Sequence, residues 1–296
     1  MYLLRRIMGL FSRFFDQTGE RPQYYVKPAT RRGLFRAMLK EKALYMIPLN
    51  FLYALFLIPT LVWGIYCFAG IERLIKDGVS LFSRDGLGWM NVTALGLVPC
   101  IIIASIGNTG IAKVMRNWAR DEHAFIAGDF FASIKANWKE GLAIGAITSL
   151  IPLILYWYVG FTVSNADRAG SVIIPAVLSG LIVLVWLMAQ GPMYAQAVTY
   201  KLKVPQIIKN GFIMCIAHFL TSLIIFIAEL LPPAIFVLLM RLTTPELGIL
   251  LMVVFYIIFG FSFDWLIKAS YANRLCEEFI NAKAGLPVRI GLREEE

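Results

Sequence analysis

LYMIPLNFLYALFLIPTLVWGIYCFA, residues 44–69, is the stretch that decides the fold. An apolar run of about 20 residues, rising 1.5 Å per residue, crosses the ~30 Å hydrocarbon core of a bilayer. In lipid every backbone N–H and C=O must bond within the chain, so such a run is a helix. Working outward, five more runs follow at 91–112, 141–163, 171–199, 211–240 and 247–268. The second is the most polar, with Asn91, Ser105, Asn108 and Thr109. Together the runs lift the hydrophobic share to 59% and the mean hydropathy to +0.70. Soluble domains sit near 45–50% apolar by comparison. The expectation is an all-α, polytopic membrane helical bundle in three parts. A basic segment, 1–43, precedes a six-helix domain, 44–268, and a tail, 269–296, follows it.

Lysine and arginine set the orientation, because loops retained in the cytoplasm carry them in excess. Segments 1–43, 113–140, 200–210 and 268–296 hold twenty-three; the segments on the other side hold five, namely Arg73, Lys76, Arg84, Arg168 and Arg241. Both termini are therefore expected in the cytoplasm. The net charge of +9 is distributed over these loops rather than gathered on one compact face, which argues against nucleic acid as a partner. Residues 1–43 are too charged for a secretory signal peptide. Instead MYLLRRIMGLFSRFFD, residues 1–16, spaces Leu3, Leu4, Ile7, Met8, Phe11, Phe14 and Phe15 at three- and four-residue steps. That pattern reads as an amphipathic helix lying on the lipid bilayer, or as one packed on the protein's own loops. A second amphipathic piece from Thr30 to Lys42 leads into the first span, with Thr30 as its N-cap.

Catalytic signatures are missing from the sequence. No G-x-x-x-x-G-K-[ST], G-x-S-x-G or H-E-x-x-H occurs. The cysteines Cys67, Cys100, Cys215 and Cys276 form no C-x-x-C pair, and the histidines His123 and His218 are far apart. No enzyme, cofactor or metal site is expected. Ionisable and polar residues inside spans are the remaining candidates, since each is costly there. Glu229 precedes Pro232 and Pro233, which lack N–H groups and free the carbonyls of Ala228 and Glu229. It reads as a midplane polar site or as a protonated hydrogen-bond partner. His218, Gln190 and Asn108 are intramembrane polar candidates too, with interhelical hydrogen bonding the plainer alternative. Asp264 and Lys268 have the i,i+4 spacing of an ion pair. Gly141, Gly145 and Ser149 form a small-residue seam suited to close helix packing. In the 113–140 segment Arg116, Trp118, Arg120, Lys135 and Trp138 are candidates for docking a cytoplasmic partner, or belong to a loop packed on its own bundle.

Two stretches also resemble each other. GNTGIAKVMRNWARDE leads to FFASIKANWKEGLAIGAI, and AQGPMYAQAVTYKLK leads to VPQIIKNGFIMCIAHF. Each pairs a helix end containing glycine with basic residues and an I-K-x-N or I-K-N element, as a duplicated helical hairpin or a chance similarity would. These motifs, with GLFSRFF at 9–15, resemble the YesL-type family of bacterial integral membrane proteins of unknown function, over roughly residues 8–268. Genes of that family often lie beside sugar importers driven by ATP-binding cassettes (ABC). The resemblance implies a non-catalytic accessory or structural subunit, associated with a carbohydrate ABC importer and contacting its permease and ATPase subunits. The alternative is a self-sufficient transporter or channel for a small solute or ion.

Overall fold

The structure is a computed structural model that describes residues 26–165 and 169–293; the amphipathic 1–16 segment lies outside them. Six helices are long and apolar enough to cross a membrane, and no strand occurs among the described residues. The chain is thus an all-α, multi-pass membrane bundle. The first helix is α1 (Arg31–Lys76), and α2 is Arg84–Ala119. The third crossing is two helices in series, α3 (Ile126–Thr148) and α4 (Leu150–Ser164). Then come α5 (Ala169–Ala197), α6 (Val204–Ala217), α7 (Phe219–Leu242), α8 (Pro245–Phe255) and α9 (Phe261–Cys276).

Helix ends follow local chemistry. Thr30 caps α1, its Oγ1 accepting from Gly33 N at 3.1 Å. Ser83 does the same for α2 through Gly86 N, and Thr244 for α8 through Leu247 N. Asp121, at φ 60°, makes the turn between α2 and α3. Several helices run well past the hydrocarbon slab, so segment 113–140 is mostly helix rather than loop, and the sixth crossing continues to Ala284 instead of ending near 268. The fifth does not begin as one span at 211: α6 starts at Val204, and the helix breaks at His218 (φ −118°, ψ 43°).

The two similar stretches fold as the hairpins α2–α3 and α5–α6, both turning at the end of the bundle where 31–43, 113–140, 200–210 and 269–293 gather, called here the basic end. Their helix breaks are not equivalent. One falls on Asn137 itself (φ −122°, ψ 19°); the other falls at His218, beyond Asn210.

The dense core lies toward the basic end. Met46, Leu49, Ile111, Met115, Phe130, Met193 and Leu266 are at most 1% exposed. Helix α9 packs against α1, α2 and α5 and closes the bundle. Between α2 and α3 the small-residue seam lets backbones approach: a Cβ on Gly145 would meet Ser105 Cβ at 2.6 Å. Ser133 Oγ donates to Thr109 O at 2.7 Å across the same contact. Toward the far end α1 and α2 stay closely packed through a cluster of Trp63, Tyr66 and Trp89 seated on Gly96 and Gly70. Elsewhere the far half is open: Ser222 alone is buried in α7, and Gly248 alone in α8.

The basic end is sealed by the chain's own terminus. Glu277 is ion-paired with Arg31 and accepts from Arg289 N (2.9 Å) and Ile290 N (3.2 Å). Arg31 also donates to Ile290 O at 2.8 Å, and Arg293 N to Pro28 O at 3.1 Å. Gly291 has φ 81°, and a Cβ there would lie 2.5 Å from Arg120 O, so only glycine fits. Residues 269–293 are part of the body, not a free tail.

Candidate functional site

Polar side chains from four helices meet where α1, α2, α5 and α9 converge. The starting point is a π-helical turn, Tyr256–Gly260, between α8 and α9. Such a turn departs from the i→i+4 ladder. Asn50 of α1, fully buried, bonds to its backbone. Its Nδ2 donates to Tyr256 O and Ile257 O, each at 2.6 Å, and its Oδ1 accepts from Ser262 N at 2.9 Å. Ser262 Oγ in turn donates to Met46 O at 3.1 Å. This clamp fixes the rotation of α9 relative to α1.

With α9 so held, Phe261, Asp264, Trp265 and Lys268 line a cavity of about 230 Å³ together with Tyr53, Asn108 and Gln190. Gln190 Nε2 donates to Thr148 Oγ1 at 3.2 Å. Asn108 Oδ1 and Asp264 Oδ1 are buried without a hydrogen-bond donor. The Lys268 ammonium lies 5.5 Å from the centroid of the Trp265 ring. It also pairs with Glu229 Oε2 at 3.3 Å, beside a narrow crevice lined by Gly191, Pro192, Ser222 and Tyr271.

Several expectations change here. Lys268 pairs with Glu229 of α7, not with Asp264 one turn earlier on its own helix. Glu229 therefore sits at the level of Lys268. His218 stands apart from the cavity: it ends α6 and bonds Glu278 Oε1 at 2.9 Å. Asn108 and Gln190 do share the cavity, with Asp264, Tyr53 and Lys268, which their separate spans did not announce. Asn50 was not anticipated; its only sequence signal is a lone amide in an otherwise apolar run.

The docking candidates separate into two groups. Arg116 and Arg120 are turned inward, both contacting Glu122, at 2.9 and 3.2 Å, and their side chains are 13% and 12% exposed. Trp118 is 3% exposed. These three brace the α2–α3 turn and offer no surface to a partner. Lys135 and Trp138 on α3 are exposed. A larger hollow, about 470 Å³, opens at the basic end among Arg31, Arg274, Glu277 and Arg289. The Glu277 carboxylate already serves Arg31 and the backbone of 289–290, so this hollow belongs to the terminal seal. Nearby, Tyr200 OH donates to Asn281 Oδ1 at 2.6 Å, and burial pushes its phenol above the usual range.

Residues 86–161 match the model of a family described as protein of unknown function, DUF624. The match spans α2 to α4 and includes Asn108 and the seam glycines, but not Gln190, Glu229, Asp264 or Lys268. It is narrower than the likeness drawn from sequence motifs. No curated protein and no solved structure matches the chain.

Proposed function

We propose that this chain is a non-catalytic subunit of a bacterial membrane complex, working with a carbohydrate ABC importer of the kind the YesL-type resemblance implies. The observation that carries this reading is the contrast between its two ends. The basic end is closed by its own ion pairs and terminal seal. At the far end α4, the outer part of α5 and the α7–α8 hairpin keep broad apolar faces uncovered by the chain itself, and in the most apolar window of α7 0% of residues are buried. Helices in lipid gain little from the hydrophobic effect and associate by close packing. Gly160 and Gly180, with open space at the Cβ position, would admit a neighbouring helix on these faces. The contact surface in this reading is intramembrane, with Lys135 and Trp138 adding to it at the basic end.

Native protein extracted in mild detergent is expected to bring the importer's membrane subunits with it. Gly180→Leu should reduce that recovery about tenfold, the equivalent of ~1.4 kcal/mol. The chain reconstituted alone should move no sugar. Recovery of no partner, with solute flux through the isolated protein, would sink the subunit reading and favour the transporter, for which the polar cavity speaks.

The same reading places the basic end in the cytoplasm. In a background without the native thiols, Thr244→Cys should react with an impermeant maleimide on intact cells, and Lys201→Cys only after lysis. The reverse pattern would invert the topology.

A further inference from the structure

The charges around the cavity do not balance. Two carboxylates, Glu229 and Asp264, face one ammonium, Lys268, and that ammonium is engaged by Glu229 at 3.3 Å. Among the described residues Asp264 has no ion pair of its own, and its Oδ1 is buried without a donor. An uncompensated carboxylate at this depth is costly, and such groups are paired or neutralised. A proton would neutralise Asp264 and, by donating its O–H, serve one further oxygen of the cavity and no more. The cavity holds a second unpartnered oxygen, Asn108 Oδ1. Gln190 spends an amide N–H on Thr148 and retains its carbonyl; Tyr53 completes an oxygen-rich wall.

One carboxylate with neutral oxygens is a hard donor set of low charge, suited to an alkali ion. No group of three His, Cys, Asp or Glu side chains assembles among the described residues, as a dedicated divalent or zinc site would require. At about 30 Å³ per water, the cavity's volume of about 230 Å³ admits an ion with part of its hydration shell. We propose that the cavity where Asp264 meets Asn108, Gln190 and Tyr53 is a binding site for a monovalent alkali cation. Its walls come from α1, α2, α5 and α9, so an occupied site ties four helices together. The inference stands on the charge count and the unpartnered oxygens, independently of the subunit reading.

The test is thermal unfolding of the detergent-purified full chain in sodium chloride against choline chloride at equal ionic strength. Sodium should raise the melting temperature saturably, by about 5 °C when it reaches ~100 times its Kd. Asp264→Asn should abolish the response, and Asn108→Ala should weaken it. Glu229→Gln should weaken it as well, because it releases Lys268 to neutralise Asp264; a merely structural Glu229 would leave the sodium response intact. If Asp264→Asn does not fold, sodium titration of the wild type by calorimetry decides alone. Equal melting in the two salts would overturn the proposal. So would stabilisation by acid that is the same in both, which would assign the neutralising charge to a proton.

Discussion

Asn50→Leu is expected to cost at least about 3 kcal/mol of stability, lowering the melting temperature in detergent by roughly 6–12 °C. The substitution keeps volume and adds apolar character, so a hydropathy argument would predict no harm. The structure predicts harm because Asn50 closes three bonds at once, to Tyr256 O, Ile257 O and Ser262 N. Leucine removes all three bonds from a buried site, and each group left unsatisfied costs about 1–3 kcal/mol. The chain can escape part of this only by annealing the π-turn Tyr256–Gly260 into regular α-helix. Removing the extra residue from that turn would rotate α9 by about 100° against α8, since 3.6 residues make a turn. Asp264 and Trp265 would then leave the cavity, and the sodium response should disappear with the stability. A variant that loses less than about 1 kcal/mol would show that water or lipid headgroups serve the π-turn instead.

Asn50 also marks the limit of what the sequence discloses. The six crossing helices are legible because hydrophobicity persists for the thickness of a bilayer. Their ends are not, because α2 and α9 continue beyond the slab as helices whose burial comes from protein neighbours, which hydropathy does not register. Arg116 and Arg120 illustrate the consequence. They read as exposed charge, yet the left-handed turn at Asp121 carries Glu122 back across them. The spacing of Asp264 and Lys268 is correct for an ion pair, but a carboxylate on another helix competes for the same ammonium. That competition depends on which helices meet, which no single span encodes. The cavity was half legible: Asn108 and Gln190 stand out as amides in apolar runs, whereas Tyr53, Phe261 and Trp265 look like ordinary membrane aromatics until α9 is set in register.

Glu277→Ala should release the C-terminal segment without unfolding the bundle. Glu277 is 8% exposed and anchors three donors: the Arg31 guanidinium and the N–H groups of Arg289 and Ile290. Removing it takes the counter-charge from the Arg31 guanidinium, which keeps its bond to Ile290 O, and strands two backbone donors. With a discount for the 21% exposure of the Arg31 side chain, the local cost is about 3 kcal/mol. That corresponds to roughly a hundredfold faster amide exchange over the segment, and the measurable set is 289–293, with trypsin cutting at Arg289 faster than in the wild type. The membrane core should hold, because the clamp at Asn50 bonds Tyr256, Ile257 and Ser262 and makes no bond to the seal. The two defects should therefore be separable: Asn50→Leu lowers global stability, and Glu277→Ala opens one end. Unchanged exchange at 289–293 in Glu277→Ala would mean that the segment is held by Leu292 and the Gly291–Arg120 approach rather than by charge. A large fall in global melting temperature would mean instead that the terminal seal and the crossing helices unfold as one cooperative unit.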